Sequence, residues 1–164
     1  MRDLPVGGHN VPNFKLQFAE LNDLAAWIEM IQTVRDNFPG LETAEQLEDY
    51  KKTVIKNIKR KTALCTKSDN GNIIGVLIFS YHSKCLSCMA VHPNYRKIGI
   101  GYAMVKKMIE LFPKDMNISV TTFREGDLKG VAPRALYKKI GFLEDELVEE
   151  FNYPHQKFIF RNRY

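Results

Sequence analysis

The chain has 164 residues and a formal net charge of +5, with an isoelectric point near 9.1. That length suits a single domain over residues 1–164, which would bury about 70% of its unfolded surface and needs no further support for a core. The charge suits an anionic ligand but is modest for a nucleic-acid binder, and with no apolar run of about 18 residues and no signal-peptide pattern a soluble, cytoplasmic protein is the default expectation.

The first stretch, Met1 to Asn13, is polar and rich in Gly and Pro, and is expected to be a flexible arm. Phe14 to Phe18 alternates apolar and polar residues as a strand does, and Asn22 or Asp23 can cap a helix whose apolar stripe is Leu24, Trp27, Ile28, Ile31 and Val34. Pro39-Gly40 ends that segment. A second helix begins at Thr43, where Gln46 completes a capping box, and carries the stripe Leu47, Tyr50, Val54 and Ile58. Its lysines, from Lys51 to Lys61, read as a solvated face, because no aromatic residues interleave with them as base stacking would require.

Thr62 to Lys67 and Ile73 to Tyr81 are apolar runs separated by Ser68-Asp69-Asn70-Gly71-Asn72, and Asn-Gly at that place signals a hairpin. Cys85 to Val91 adds a third antiparallel strand. Cys65, Cys85 and Cys88 cannot all pair within one chain, and reduced thiols are expected. Residues three apart on a strand point to opposite faces, so Cys85 and Cys88 suit neither a redox pair nor a shared metal. The histidines His9, His82, His92 and His155 are scattered without ligand spacing, and no metal site is expected.

From Gly101 the apolar positions Met104, Val105, Met108, Ile109, Leu111 and Phe112 recur at helical spacing until Pro113. The turn that feeds this helix is Arg96-Lys97-Ile98-Gly99-Ile100-Gly101. Its glycines let the backbone approach a ligand, and its cations join the positive end of the helix, a combination suited to a pyrophosphate. A dinucleotide fingerprint is the competing reading, but Met104 stands where its last small residue belongs, and no acidic residue follows a strand at the offset of about 20 residues.

Asn117 to Phe123 reads as a strand parallel to its predecessor, since a whole helix joins them. A helix from about Val131 to Ile140 follows, with Pro133 in its first turn and Gly141 as its C-terminal cap. The last part, Phe142 to Tyr164, reads as two strands around Asn152-Tyr153-Pro154-His155.

Two segments carry a family resemblance. Val91-His92-Pro93, followed by Tyr95-Arg96-Lys97 and Gly99-Ile100-Gly101, resembles the acyl-CoA pyrophosphate loop of the GNAT N-acetyltransferases. Ala135-Leu136-Tyr137-Lys138-Lys139-Ile140-Gly141-Phe142 is similar to that family's second signature, in the right order and about a strand away. The resemblance implies an α/β acyltransferase fold with a mixed, mostly antiparallel sheet flanked by helices. It implies acetyl-CoA as acyl donor and a primary amine, on a small molecule or a protein, as acceptor of direct attack.

By the same resemblance, Met89, Ala90 and Val91 supply backbone groups to the pantetheine arm, and Arg96, Lys97, Ile98, Gly99, Ile100 and Gly101 hold the pyrophosphate. Tyr137 protonates the departing sulfur, and the helices after the first strand form part of the acceptor site. Family members often carry Asn where this chain has Gly130, so Gly130 backbone groups or Arg134 would meet the coenzyme instead. Glu125, Tyr81, His92, Glu149 and Glu150 are candidate bases without a favourite. A non-catalytic acyl-CoA-binding module is the alternative; a monomer or homodimer is expected, with neither nucleic acid nor membrane as partner.

Overall fold

The computed structural model describes residues 13–37 and 40–162. Most of the expected arm and Pro39 lie outside those residues. The elements are β1 (Phe14–Phe18), α1 (Leu24–Thr33), α2 (Ala44–Arg60), β2 (Ala63–Ser68), β3 (Ile73–Ser80), β4 (Cys85–Val91), α3 (Ile100–Leu111), β5 (Ile118–Phe123), α4 (Val131–Ile140), β6 (Leu143–Glu150) and β7 (Tyr153–Phe160).

Local chemistry explains most boundaries. At the start of α2 the Thr43 hydroxyl accepts from the Gln46 amide at 3.0 Å while the Gln46 side chain accepts from the Thr43 amide at 2.9 Å, the reciprocal box its sequence spells. The α1 cap differs from expectation. A short 3-10 turn, Leu21–Asp23, precedes the helix, and the buried Asp23 accepts from the Glu20 amide at 2.8 Å and pairs with Lys67 of β2 at 2.8 Å. A tertiary ion pair thus claims the side chain that the sequence offers to the helix.

Between β2 and β3 the Gly71 amide donates to the Ser68 carbonyl at 2.9 Å with Gly71 at φ 83°, as the Asn-Gly signal requires. The C-terminal hairpin turns earlier than its sequence suggests. Phe151 and Asn152 both take positive φ, 54° and 59°, the twist that a two-residue hairpin prefers, and Tyr153 to His155 pair with β6 as part of β7.

The seven strands form one sheet in the order β1-β2-β3-β4-β5-β7-β6, antiparallel except at β4–β5. Helices α3 and α4 cover one face through Ile100, Met104, Met108 and Tyr137, which pack on Leu77, Phe79 and Phe158. Helices α1 and α2 cover the other through Trp27, Ile31, Val54 and Ile58, on Val76 and Ile78. The alternation along β3 sends successive residues to the two layers.

The pairing of β4 with β3 slips between Leu86 and Cys88, so Ser87 is a bulge residue. This corrects the expectation for the cysteines. Cys85 stands opposite Ser80 and Cys88 opposite Ile78, two positions apart on β3, and both therefore face the α1–α2 side. Cys65, Cys85 and Cys88 are all free thiols.

Candidate active site

The parallel pair β4–β5 is joined only at Cys85 with Ser119 and Leu86 with Val120; beyond them the strands part. Among the described residues, no strand lies beside the remaining edge of β4. On an antiparallel strand, alternate residues send both backbone groups to the same side. The His92 amide donates to Ile74 of β3 at 2.8 Å, so Ala90, two residues earlier, also faces β3, while Met89 and Val91 face the gap. Of the three residues expected to greet a pantetheine arm, Ala90 is thus committed to the sheet. The Val91 carbonyl is already taken by the Arg96 guanidinium at 3.3 Å, which leaves the Met89 groups and the Val91 amide directed at the gap.

The anion loop follows. Lys97 and Gly99 adopt positive φ, 65° and 94°, and α3 begins at once, with the Ala103 amide bonding the Gly99 carbonyl at 3.0 Å. By helical geometry the amides of Ile100, Gly101 and Tyr102 have no partner within the helix, and they point out of its positive end. A side chain at Gly99 would meet no atom within 4 Å, so its backbone conformation, not space, calls for glycine. Gly101 is different: an added Cβ would lie 3.2 Å from Leu136 of α4 and 3.9 Å from Met89. Gly101 therefore serves the packing of two helices as well as the loop. Ile98 is half-buried and Ile100 buried, and they anchor the loop to the core, whereas Arg96 and Lys97 are exposed to any anion that arrives.

Tyr137 lies on α4, next to Leu136, which an added Cβ at Gly101 of α3 would meet at 3.2 Å. Its ring packs 5.6 Å from Phe142 and 6.2 Å from Phe158, and burial, with the neighbouring Cys88, pushes its hydroxyl pKa well up. Such a group stays protonated at neutral pH and can act as an acid, not as a base. Helix α4 ends where expected, the Gly141 and Phe142 amides both bonding the Tyr137 carbonyl.

Two residues proposed for the coenzyme have other tasks. Gly130 is the N-cap of α4; its amide donates to Asp127 at 2.9 Å, and an added Cβ would lie 3.0 Å from Phe123 Cβ. A side chain at that position would require Phe123 and Arg134 to give way by a few tenths of an ångström. Arg134 is buried, and its guanidinium donates to the Phe123 carbonyl at 3.0 Å, to Gln156 at 2.8 Å and to Glu144, with its plane 5.0 Å from the Phe158 ring. It clamps α4 to β5, β6 and β7 through these three bonds inside the protein.

On the opposite face is a group that the sequence did not single out as a site. Trp27 Nε1 donates to the Tyr50 hydroxyl at 3.0 Å, and that hydroxyl lies 3.4 Å from Cys88 Sγ at the parted edge. The indole can only donate, so the Tyr50 oxygen accepts from it, and in the contact with the sulfur either the hydroxyl or the thiol can donate. Burial first, opposed by the Tyr50 bond, leaves the Cys88 thiol pushed up to about 11. Trp27 and Tyr50 were legible as apolar stripes; their meeting at Cys88 depends on the bulge at Ser87.

The candidate bases are dispersed. The Tyr81 hydroxyl donates to Leu111 at 3.4 Å and its ring packs on Phe79 and Phe112, while His92 Nδ1 accepts from the Asn94 amide at 3.1 Å. Glu125, Glu149 and Glu150 are exposed. Among the described residues, no His, Cys, Asp and Glu side chains gather as a metal-binding group of three or more.

The chain's sequence matches the profile of the acetyltransferase (GNAT) domain over residues 61–144. No curated protein sequence matches it. Among solved structures, a GNAT-family acetyltransferase from Bacillus cereus ATCC 10987 is similar with a TM-score of 0.73 at 18% identity, over 92% of this chain and 98% of that one. An N-acetyltransferase from Staphylococcus aureus Mu50 gives 0.70 at 16% identity, over 89% and 100% of the two chains. The PaiA N-acetyltransferase from Thermoplasma acidophilum, solved in complex with coenzyme A, gives 0.67 at 15% identity, over 91% and 99%. At such identities these structures speak for the fold alone. The profile spans just over half of the residues and runs from the end of α2 into β6, and the chain belongs to the GNAT acetyltransferase family.

Proposed function

We propose that the protein transfers the acetyl group of acetyl-CoA to a primary amine by direct attack within a ternary complex. The observation that carries this reading is the parted edge of β4, whose Met89 backbone groups are directed into the gap near the N-terminus of α3, together with the buried, protonated Tyr137 on α4, whose neighbour Leu136 lies against Gly101 of α3. The residues present fit acetyl-CoA: the amides at the start of α3 with Arg96 and Lys97 suit its pyrophosphate, and the β4 edge suits the amides of its pantetheine arm. The coenzyme A bound to the Thermoplasma protein supports the same assignment.

Acetyl-CoA supplies the activated acyl group there. The Met89 N–H, directed into the gap, can stabilise the negative charge that develops on the acyl oxygen during attack. The acceptor amine has an ordinary pKa of about 10.4 and must lose a proton before its nitrogen bonds the acyl carbon. The candidate bases are dispersed among the described residues, and water serves in that step. As the carbon–sulfur bond breaks, the nitrogen loses its second proton to water, Tyr137 gives its proton to the sulfur and recovers one from solvent, so the products are the neutral amide and thiol with one proton released overall.

Incubating the protein with acetyl-CoA and a panel of primary amines, with the released thiol as readout, tests this. Turnover of at least one amine is the expected result. Coenzyme binding without turnover across a broad panel would instead favour the non-catalytic module.

A further inference from the structure

Phe123, Tyr153 and His155 form a ring cluster just past the parted end of β5. Along β5, Ile118 and Val120 face the α3–α4 layer, so Phe123 faces the opposite, α1–α2 side, and its register partner His155 lies beside it on β7. Phe123 and His155 stack at 5.1 Å, and Tyr153 meets both rings edge-on at 5.7 Å. The Tyr153 hydroxyl donates to Asp127 at 2.7 Å, bringing a carboxylate to the rim. That bond, above all, holds the Asp127 carboxyl below its usual range, so the rim is anionic at neutral pH.

The cluster already holds a primary ammonium. Lys129 Nζ sits 5.5 Å from the Tyr153 ring centre and 5.9 Å from that of Phe123. Lys129 itself is exposed, on a single 3-10 turn, so its side chain can swing away without moving the backbone. An exposed cation is held over a ring only weakly, and a competing cation can match that attraction.

The cluster's position relates it to the chemistry. β4 and β5 separate after Val120, and Phe123 stands three strand residues farther, about 10 Å away. The hairpin that carries Tyr153 also brings Phe151 to the α1–α2 connection, where an added Cβ at Gly40 would lie 3.2 Å from its ring. The cluster is therefore flanked by the elements that close the acceptor side.

We propose that Phe123, Tyr153, His155 and Asp127 form an acceptor-side cation subsite, which Lys129 occupies in the free protein and which binds the second ammonium of a diamine or longer oligoamine substrate. The reading rests on amine acetylation as the reaction. It adds that the acceptor carries a further cationic nitrogen several methylenes from the reacting one, and that Lys129 must yield its place.

Tetramethylammonium, which cannot be acetylated, tests the subsite apart from turnover. Titrated into the full-length protein and followed by NMR, it should shift the Phe123, Tyr153 and His155 resonances, bind about 3- to 5-fold more tightly to Lys129→Gln, and lose those shifts in Tyr153→Leu, a change at a half-exposed ring. In turnover, Lys129→Gln should improve the apparent affinity for a straight-chain butane diamine relative to butylamine, read as a lower KM for the diamine alone. Absence of shifts at these rings in both the parent and Lys129→Gln overturns the proposal, even if amines are acetylated. Shifts at these rings in a protein that acetylates no amine would keep the cation site and remove the acetyl-transfer reading on which its role rests.

Discussion

The two sides of the parted strands are built differently. On the side proposed for the coenzyme, the features lie in a short contiguous run: β4 delivers the chain to a turn with Lys97 and Gly99 at positive φ, and the first amides of α3 are the donors on offer. On the side proposed for the acceptor, single side chains arrive from distant points, Trp27 and Tyr50 from two helices and Tyr153 and His155 from the last strand. Backbone recognition needs particular dihedrals and small residues, which leave a local spelling. Side-chain recognition needs only that the fold bring the groups together. Ligand specificity on this protein should therefore be easier to alter on the acceptor side without disturbing coenzyme binding.

The sharpest test of that comparison is at Tyr137, the proposed acid. Tyr137→Phe keeps the ring against Phe142 and Phe158 but removes the proton, and should lower kcat by roughly 100-fold or more while coenzyme affinity and melting temperature change little. Full turnover in a single-turnover experiment with a good acceptor would remove Tyr137 from the chemistry.

Arg134 separates a structural arginine from a ligand-binding one. Arg134→Ala leaves the Phe123 carbonyl without its donor and unties α4 from β6 and β7, and should cost about 2–3 kcal/mol in urea unfolding. Coenzyme affinity of the folded fraction should hold. A variant of unchanged stability but weakened coenzyme binding would return Arg134 to the coenzyme site.

The exposed pair on the loop should behave in the opposite way. Arg96→Glu with Lys97→Glu should weaken acetyl-CoA by about 10-fold or more at low salt, less at high salt, with little loss of stability, as calorimetric titration can show. This variant is a cleaner probe than a carboxylate at Gly101, where the contact with Leu136 would disturb α4 as well. Unchanged affinity would place the anion site elsewhere.

The smallest effect is expected at Tyr50. Tyr50→Phe deletes the hydroxyl between Trp27 and Cys88, and should lower stability by about 1 kcal/mol and alter acceptor KM more than coenzyme affinity. Equal change in both constants would show that the two sides are not separable there.

By itself the sequence determined the order of helices and strands, the capping box at Thr43 and Gln46, the Asn-Gly hairpin, the glycine loop into α3 and the tyrosine ahead of Gly141, because each rests on dihedral or hydrogen-bond demands met within a few residues. Tertiary structure alone decided which polar groups were left for ligands. Arg96 and Arg134 read alike as cations near a coenzyme, yet one is exposed and the other bonds Phe123 and Gln156 inside the fold. The slip at Ser87 turns Cys88 toward Tyr50, and the strand pairing of Phe123 with His155 assembles the cation subsite. Burial and register depend on partners tens of residues away, and no local pattern carries them.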